Sequence, residues 1–262
     1  MSLRDRYGPW ALISGGSEGV GASFARKLAD AGLNLILVAR KPAPLEALKT
    51  ELGGKVQIRT LALDILSPNA VAKIADLAAD VQVGLLICNA GSATGIGDFL
   101  DKPLAAAQDI SRLNNDVPVA LCHHFGGLMR KERRGGILLV SSMAGYAGNP
   151  GFIAYAGAKA YMRIFAEGLW YELKPYGVDV LCLSLSATDT PAMRREGMNA
   201  DVPGFSLDDA DSVAQQGLDH LADGPGHVVE SAAAGLPFLT GPDRGQVVGG
   251  FAQASRALFA KN

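Results

Sequence analysis

A tyrosine and a lysine, Tyr155 and Lys159, stand four residues apart in the segment YAGAK. On a helix, positions i and i+4 share one face, so the two side chains can act as a pair. A lysine ammonium within about 4–6 Å favours the phenolate and lowers the tyrosine pKa, which is normally near 10. Tyr155 is then a general acid for a developing alkoxide or a general base for an alcohol. A surface Tyr–Lys pair without chemistry is the alternative.

A serine pair precedes these residues in the segment SSMAG, which begins at Ser141. The hydroxyl of Ser142, at the end of a predicted strand, can hydrogen-bond the same substrate oxygen and hold it in place. The structural alternative is a serine that ends a strand or caps a helix.

A glycine-rich stretch, SGGSEGVG, separates an apolar strand-like run from a helix-like segment. A glycine turn that opens a helix lets backbone N–H groups approach a phosphate, and the helix N-terminus adds partial positive charge. The glycine spacing differs from the G-x-G-x-x-G dinucleotide fingerprint, so a tight turn without a ligand is the alternative. The functional hypothesis assigns cofactor contacts to Ser14, Gly15, Ser17, Glu18, Gly19, Val20 and Gly21.

The second predicted strand ends in LVARK, close to where a dinucleotide-binding fold recognises the adenosine ribose. Ala39 and Arg40 provide no carboxylate for a 2′-hydroxyl, whereas Arg40 and Lys41 offer cations to a 2′-phosphate. This pattern predicts NADP(H) in preference to NAD(H). Glu18 argues against that preference, because it places a negative charge in the glycine turn.

Two further strand ends carry residues that fit a dinucleotide. Asp64, followed by Ile65, could accept a hydrogen bond from an adenine amino group or simply cap the next helix. In CNAG, the small residues after the fourth strand permit close backbone approach to a ribose or just form a turn. The positions assigned there are Asn89, Ala90 and Gly91.

Short branched apolar runs alternate with segments of helical periodicity along the chain. We predict strands at 10–14, 33–39, 56–63, 83–88, 136–141, 178–184 and 227–229. We predict helices at 22–31, 44–52, 69–79, 104–130, 154–176, 207–221 and 243–260. The alternation favours an α/β fold, a three-layer αβα doubly wound parallel sheet in a single domain over 1–262. Ligands bind at the carboxyl ends of parallel strands, so the irregular segment at about 190–207 is a candidate substrate lid.

Composition excludes several other functions for the 262 residues. A formal net charge of −2 provides no basic field for nucleic acid or anionic lipid. The three cysteines lie in apolar stretches and are predicted core residues, and the four histidines lack metal-ligand spacing, so no metal site is expected. Charges near the N-terminus and the absence of a long apolar run predict a cytoplasmic protein without a membrane span.

Together, these motifs resemble the short-chain dehydrogenases/reductases, in the family's common branch, over roughly residues 10–190. SGGSEGVG is similar to the family's TGxxxGxG, CNAG to its NNAG, and SSMAG with YAGAK to its Ser and YxxxK elements. LNNDVP carries the helix asparagine of the family, which we place at Asn115, with Asn114 as the alternative. The resemblance implies a Rossmann-like, NAD(P)-dependent oxidoreductase that interconverts a ketone or aldehyde and an alcohol by hydride transfer.

The resemblance also implies roles for individual residues. Tyr155 is the acid or base, Lys159 lowers its pKa and binds the nicotinamide ribose, Ser142 orients the substrate oxygen, and Asn115 holds a water in the proton relay. Further cofactor contacts are expected after the sixth strand, at Thr188 and Thr190.

The sequence departs from the family where a proline-glycine pair normally follows the sixth strand. Leu185 and Ser186 stand there instead, which affects either the nicotinamide orientation or only the pocket wall. Two alternatives keep the scaffold: a non-catalytic dinucleotide-binding sensor, and an epimerase or dehydratase that uses the cofactor transiently.

Several apolar side chains favour a small-molecule carbonyl or alcohol on a lipid, steroid, polyketide or aromatic skeleton, although ordinary packing explains them equally well. They are Met193, Met198, Pro203, Phe205, Tyr146 and Phe152. The family commonly forms dimers or tetramers through its long helices. The C-terminal stretch from Gly241 does not closely match the tail of the typical tetramer, so a homodimer is predicted, with a homotetramer as the alternative.

Overall fold

The sheet of this protein is parallel throughout in the computed structural model, which describes residues 1–93, 97–198 and 206–259. Its strands are β1 (Trp10–Ser14), β2 (Asn34–Ala39), β3 (Ile58–Ala62), β4 (Val83–Cys88), β5 (Gly135–Ser142), β6 (Val178–Leu185) and β7 (Gly226–Val228). They lie in the order β3-β2-β1-β4-β5-β6-β7. Each neighbouring pair is parallel, for example Leu12 beside Ile36 and Leu86. The predicted doubly wound α/β sheet is therefore confirmed.

Both faces of the sheet are covered by helices. The longer helices are α1 (Leu3–Tyr7), α2 (Gly19–Asp30), α3 (Pro42–Leu52), α4 (Ala70–Leu77), α5 (Leu104–Ser111), α6 (Val117–Glu132), α7 (Ile153–Leu173), α8 (Pro191–Arg195), α9 (Ala210–Asp219) and α12 (Arg244–Phe259). Two single-turn helices, α10 (Glu230–Ala233) and α11 (Leu236–Leu239), precede α12 and were not predicted. Short 3₁₀ turns occupy Phe99–Asp101, Met143–Tyr146 and Lys174–Tyr176.

The apolar runs become central strands because each strand buries side chains on both faces. Successive residues point to opposite sides, so Ile137 and Leu139 pack in one core while Leu138 packs in the other. All three are almost fully buried. The three cysteines are buried as well, as their apolar surroundings predict. These two cores hold the strands rigidly, and the strand ends form the platform for the site.

The helix predicted at 104–130 is wrong in one respect, since it is not continuous. A π-helical turn, Arg112–Asp116, separates α5 from α6. Pro118 explains the interruption, because a proline has no N–H to donate to the Asn114 carbonyl four residues earlier. The Val117 N–H instead bonds to the Arg112 carbonyl, five residues back.

The segment after β6 also differs from its prediction. Its helix begins at Ala210 rather than 207, because the Asp209 side chain accepts from the Ser212 N–H at 2.9 Å and caps α9. The three residues before Asp209 are not helical, and Asp208 forms an isolated parallel bridge with Thr188. Pro203 and Phe205 lie outside the described residues. Within the described ranges, no helix combines the length and the apolarity that crossing a bilayer requires.

Candidate active site

A cavity of about 670 Å³, the strand-end cavity, opens at the carboxyl ends of the strands. Its walls come from the glycine turn before α2, the ends of β4, β5 and β6, the start of α7, and α8, α11 and α12. This is where an open parallel sheet binds ligands. Of the residues predicted from the sequence, the cavity is lined by Glu18, Gly19, Val20, Asn89, Gly91, Ser142, Tyr155, Lys159, Thr188 and Thr190.

Tyr155 and Lys159 lie one turn apart on α7 and face this cavity together. Lys159 is 5% exposed, its Nζ donates to the Val140 carbonyl at 2.8 Å, and it lies 5.4 Å from the centre of the Tyr155 ring. Burial lowers the pKa of Lys159 to about 8, because desolvation disfavours the ammonium. Lys159 is thus buried and Tyr155 half-buried, which argues against the surface-pair alternative.

The electrostatics of Tyr155 differ from the sequence-based expectation. Burial raises the pKa of Tyr155 above its ordinary value, and its interaction with the Ser142 hydroxyl lowers the pKa and offsets part of that rise. Lys159, which bonds a backbone carbonyl, contributes no lowering in the protein alone. Tyr155 is therefore held in its protonated form at neutral pH, which suits a proton donor.

The two serines at the end of β5 have different tasks, since neighbouring strand residues point to opposite faces. Ser141 is buried, and its hydroxyl donates to the Lys159 carbonyl at 3.2 Å, which ties β5 to α7. Ser142 lines the cavity, and its Oγ accepts from the Ala144 N–H at 3.2 Å. Ser142 caps the following turn, as the structural alternative for this residue states, and its hydroxyl also interacts with Tyr155.

The two candidates for the helix asparagine, Asn115 and its alternative Asn114, have different surroundings in the structure. Asn114 is buried in the π-helical turn, and its Nδ2 donates to the carbonyls of Ile110 at 2.9 Å and Ser92 at 3.1 Å. A Cβ built on Gly91 would lie 2.8 Å from Asn114 Oδ1 and 3.2 Å from Lys159 Nζ. In the described part of the chain this Oδ1 has no hydrogen-bond partner. Asn114 is therefore the asparagine beside Lys159.

Asn115, the residue assigned from the sequence, has a different environment. In its favoured amide orientation, its Nδ2 donates to the Ala158 carbonyl at 2.9 Å and to the Asn114 carbonyl at 3.0 Å. Pro118, which has no N–H, cannot donate to this Asn114 carbonyl. Asn115 thus links the π-helical turn to α7. The amide of Asn114 points to the opposite side because neighbouring helical residues face different directions.

The glycine turn is held between β1, β2 and the end of β4. The Gly15 N–H donates to the Val38 carbonyl at 2.7 Å, and Asn89 Nδ2 donates to the Gly15 carbonyl at 2.9 Å. The Ser14 hydroxyl is buried and accepts from the Ala90 N–H at 3.4 Å. Ser14 and Asn89 therefore fix the shape of the turn from beneath.

Other residues predicted to contact the cofactor lie outside the strand-end cavity. Arg40 is exposed at the end of β2, and Ile65 is buried beyond β3. Asp64 caps its own turn, with Oδ1 accepting from the Leu66 N–H at 3.0 Å. It does not cap the next helix, contrary to the structural alternative, because α4 begins only at Ala70. These three residues follow β2 and β3, the two strands at one end of the sheet.

Glu18 is paired with cations that sequence reasoning did not connect to it. Arg195 Nη1 lies 3.0 Å from Glu18 Oε2, and Arg195 Nη2 contacts Glu18 Oε1. Lys41 Nζ lies 3.6 Å from Glu18 Oε1. The hydrogen bond from Arg195 holds the pKa of Glu18 below its usual range. Because Arg195 stands 177 residues later in the chain, no local pattern signals this contact.

The departure at Leu185–Ser186 has a structural explanation. The Ser186 hydroxyl donates to Asp208 Oδ2 at 2.5 Å, and the Ser231 hydroxyl donates to the same oxygen at 2.8 Å. Asp208 also bonds through its backbone, since its N–H reaches the Ala187 carbonyl at 2.9 Å. Ser186 therefore anchors the chain where it returns from the lid segment, a task that a glycine could not perform.

Sequence reasoning missed the C-terminal wall of the cavity. Side chains of α11 and α12 line it, although α12 was predicted only as a terminal helix; they are Phe238, Leu239, Phe251, Ala254, Ser255 and Leu258. Of the apolar residues predicted for the pocket, Met193 and Phe152 line the cavity, while Tyr146 and the buried Met198 do not. The charged residues lining it are Glu18, Lys159 and Glu196.

The Tyr155–Lys159 pair and the glycine turn before α2 line the same cavity. In the portion that the structure describes, no group of three or more His, Cys, Asp or Glu side chains is placed to hold a metal ion.

Known proteins share both the sequence pattern and the fold. The sequence profile described as short chain dehydrogenase matches residues 9–200. A 7beta-hydroxysteroid dehydrogenase of Clostridium sardiniense is 32% identical over 194 residues, 73% of this chain and 74% of that protein. A very-long-chain 3-oxoacyl-CoA reductase of Podospora anserina is 35% identical over 181 residues, 67% of this chain but only 53% of that protein. The chain belongs to the short-chain dehydrogenase family, which confirms the resemblance.

Solved structures give the same result. A short-chain dehydrogenase from Sphingobium yanoikuyae in complex with NADPH superposes with a TM-score of 0.79, at 27% identity and 95% coverage of both chains. An NAD⁺-bound xylitol dehydrogenase has the same fold, with a TM-score of 0.73 at 20% identity, 84% coverage of this chain and 96% of that one. This protein is thus an oxidoreductase of a family that uses a nicotinamide dinucleotide.

The glycine turn provides a test of this geometry. A Cβ at Gly21 would lie 2.0 Å from the Gly15 carbonyl oxygen, so the backbone must move in Gly21→Ala. We expect the free energy of unfolding to fall by about 1–3 kcal/mol, as in other overpacked sites, measured by urea denaturation. Gly54→Ala is the control, because a Cβ there meets nothing within 4 Å. Equal stability of the two variants would contradict the described turn.

Proposed function

We propose that this protein interconverts an apolar ketone and the corresponding secondary alcohol, with NADP(H) as the hydride carrier. The observation that carries the proposal is the convergence of Ser142, Tyr155 and Lys159 on the cavity that the glycine turn also lines. The physical argument is that such a cavity brings a proton donor, an oxygen-binding hydroxyl and a phosphate-binding turn within reach of one substrate.

The glycine turn fits a dinucleotide in shape. Gly21 and Gly91 keep the turn, the end of β4 and the Lys159 ammonium close together, where side chains would collide. Glu18 precedes α2 but makes no side-chain cap bond to it. The first N–H groups of α2 therefore stay available to an anion such as a pyrophosphate. A bound nicotinamide dinucleotide supplies or accepts the hydride.

The proton step belongs to Tyr155. With the substrate carbonyl against the Ser142 and Tyr155 hydroxyls, Tyr155 donates its proton as negative charge develops on that oxygen. Lys159 holds a positive charge near the resulting phenolate and stabilises it. The Asn114 amide oxygen faces the same region, where it would accept a hydrogen bond from a water that relays the proton. In the oxidising direction the same steps run in reverse, so Tyr155 must first be deprotonated.

The preference for NADP(H) is supported by charge at the end of β2. Arg40 and Lys41 are exposed cations, and a 2′-phosphate bound there would meet both. Glu18, which stood against this preference, is neutralised by Arg195. The NADPH complex of the related structure is consistent with the same choice.

The substrate class is inferred from the walls of the cavity. Phe152, Phe238, Phe251 and Leu258 provide extended apolar surface, and α11 and α12 enclose it opposite α7. A cavity of about 670 Å³ is large enough for a skeleton of several rings or a medium acyl chain. Related proteins named for steroids and for 3-oxoacyl-CoA match this size class. The described part of the predicted lid, residues 190–198, includes Met193, which lines the cavity and would face the substrate.

A homodimer is the proposed assembly, with the homotetramer as its alternative. Exposed apolar side chains lie along one stripe of α7: Ile153 (54% exposed), Tyr161 (49%), Ile164 (56%) and Tyr171 (74%). Their spacing follows the helical repeat, and a contiguous apolar stripe of this kind indicates a protein interface. A second copy that presents the same stripe would cover it symmetrically.

The first prediction concerns turnover. A panel of bulky ketones and alcohols, assayed with NADPH, NADP⁺, NADH and NAD⁺, is expected to yield turnover with the phosphorylated cofactor preferred. Tyr155→Phe should lower kcat about 100-fold or more, the usual range for loss of a general acid, while NADPH still binds because the ring remains. The control is Tyr171→Phe, at a tyrosine of the same helix that is 74% exposed. Cofactor binding without turnover of any compound would favour the sensor.

A second prediction follows from the pKa of Lys159, lowered to about 8 by burial. Below that pH the ammonium is charged and stabilises the phenolate; above it the charge is lost. Tyr155, whose pKa is raised, stays protonated across this range. We expect kcat/KM for ketone reduction to be flat below about pH 8 and to fall about tenfold per unit above it. In Lys159→Arg the cation persists, so the inflection should vanish. A wild-type profile that stays flat to pH 9.5 would contradict the proposal.

The third prediction concerns the stripe on α7. Light scattering on wild-type protein should give twice the 27.2 kDa mass of the chain. Ile164→Asp places a charge in the stripe and should produce the single-chain mass, since an unpaired buried charge is costly. Leu100→Asp changes a residue that is 90% exposed outside the stripe, and should leave the mass unchanged. A wild-type monomer, or a dimer that survives Ile164→Asp, would refute this interface.

A further inference from the structure

A carboxylate stands at the place where the proposed cofactor carries its extra negative charge. Glu18 lines the strand-end cavity and precedes α2 directly. Its Oε1 lies 3.6 Å from the Nζ of Lys41, one of the two cations available to a 2′-phosphate. An anion held by Lys41 would therefore lie within a few ångströms of the Glu18 carboxylate, and the two negative charges would repel each other.

Glu18 stays ionised at neutral pH and cannot escape this conflict by protonation. The hydrogen bond from Arg195 holds its pKa below the usual range, with smaller contributions from Lys41. The negative charge must instead be compensated by a cation. Lys41 is one candidate, but a lysine engaged by Glu18 is less available to a phosphate.

Arg195, on α8, supplies the compensation. Both of its terminal nitrogens contact Glu18, one to each carboxylate oxygen, which is the fork geometry in which arginine binds carboxylates most strongly. Arg195 is the last residue of α8, in the lid segment. Its neighbour Arg194 is turned away and pairs with Asp189 instead, at 2.7 and 2.6 Å.

Helix α8 also packs directly on the glycine turn. A Cβ built on Gly19 would lie 3.0 Å from Cγ2 of Thr190, the residue whose side chain caps α8. The position of α8, and hence of the Arg195 guanidinium, is therefore tied to the turn that holds Glu18. The packing contact of Gly19 with Thr190 and the ion pair of Glu18 with Arg195 both join the glycine turn to α8.

We propose that Arg195 is a positioning residue for cofactor choice: it neutralises Glu18 and thereby leaves Arg40 and Lys41 free to bind the 2′-phosphate of NADP(H). With Arg195 in place, Glu18, Arg195, Arg40 and Lys41 carry a summed charge of +2, and Glu18 contacts Lys41 only at the longer distance of 3.6 Å. Without it, Glu18 draws Lys41 to itself and the 2′-phosphate meets one cation and one anion. The lid segment thus contributes to recognition of the adenine end of the cofactor. This inference rests on the proposed use of NADP(H).

The test measures binding of NADPH and NADH to the full-length protein by fluorescence titration at low ionic strength. We expect Arg195→Ala to weaken NADPH about three- to fivefold, the upper range for half-exposed ion pairs, and to leave NADH nearly unchanged. Arg194→Ala is the matched control, because it removes an arginine with two bonds to a carboxylate from the same helix. It should change neither affinity.

A second substitution separates charge compensation from mere support of the helix. In the double variant Glu18→Gln with Arg195→Ala, the uncompensated carboxylate is gone, so the NADPH-to-NADH affinity ratio should return to at least the wild-type value. The loss in Arg195→Ala should also shrink at high salt, where exposed charges are screened. A purely structural role of Arg195 would show neither rescue nor salt dependence.

The possible failures are distinguishable. If Arg195→Ala leaves the ratio unchanged, or lowers both affinities equally, the role assigned to Arg195 is refuted while the proposed function stands. If the double variant is not rescued, compensation of Glu18 is refuted as the cause. If the wild-type protein binds neither nucleotide, or prefers NADH, the proposed use of NADP(H) fails, and the inference fails with it.

Discussion

The junction between the end of β5 and α7 is the contact on which the site depends. Lys159 donates from its ammonium to the Val140 carbonyl, and its own carbonyl accepts from the Ser141 hydroxyl. The chain passes so closely here that a Cβ on Gly145 would lie 2.8 Å from the Lys159 carbonyl carbon. Two bonds at one residue thus fix both the height and the rotation of α7 against the sheet. Tyr155 lies one turn earlier on α7, so these two hydrogen bonds also set its position.

Burial of the Lys159 ammonium has an energetic consequence that shapes the chemistry. Desolvation of a charged group is costly, and it lowers the pKa of Lys159 to about 8. The side chain therefore still carries its charge at physiological pH. Tyr155 moves in the opposite direction, because burial disfavours its phenolate. The protein by itself therefore holds a neutral phenol beside a marginally stable cation. In such a pair the Tyr155 phenol can donate its proton when negative charge develops nearby.

The lid segment makes further contacts that hold the site together, away from the junction of β5 and α7. Ser186 and Ser231 hold Asp208, so the residue that follows the predicted lid segment is anchored at the end of β6. The outgoing part carries α8, whose Arg195 contacts Glu18 in the glycine turn. The two ends of the lid segment are thus tied to different parts of the site. This explains how a chain that lacks the family's proline-glycine pair can still hold the end of β6 in place.

The amino-acid sequence by itself determined the elements and the family. Branched apolar runs that must be buried on both faces predict parallel strands, and short motifs at their ends predict which residues meet at one edge. Periodicity also placed Tyr155 and Lys159 on one face of a helix, because four residues span about one turn. Even the interruption before α6 has a local cause in Pro118, although it was not predicted.

Only the tertiary structure decided what depends on distance through space. Whether Asn114 or Asn115 faces Lys159 follows from the π-helical turn, since a single-residue change in helical phase moves a side chain to another side. The partner of Glu18 lies 177 residues away, beyond any periodic pattern. The apolar wall from α11 and α12 and the raised pKa of Tyr155 likewise come from packing between distant segments. Local chemistry sets the elements, whereas burial and charge pairing are properties of the folded chain.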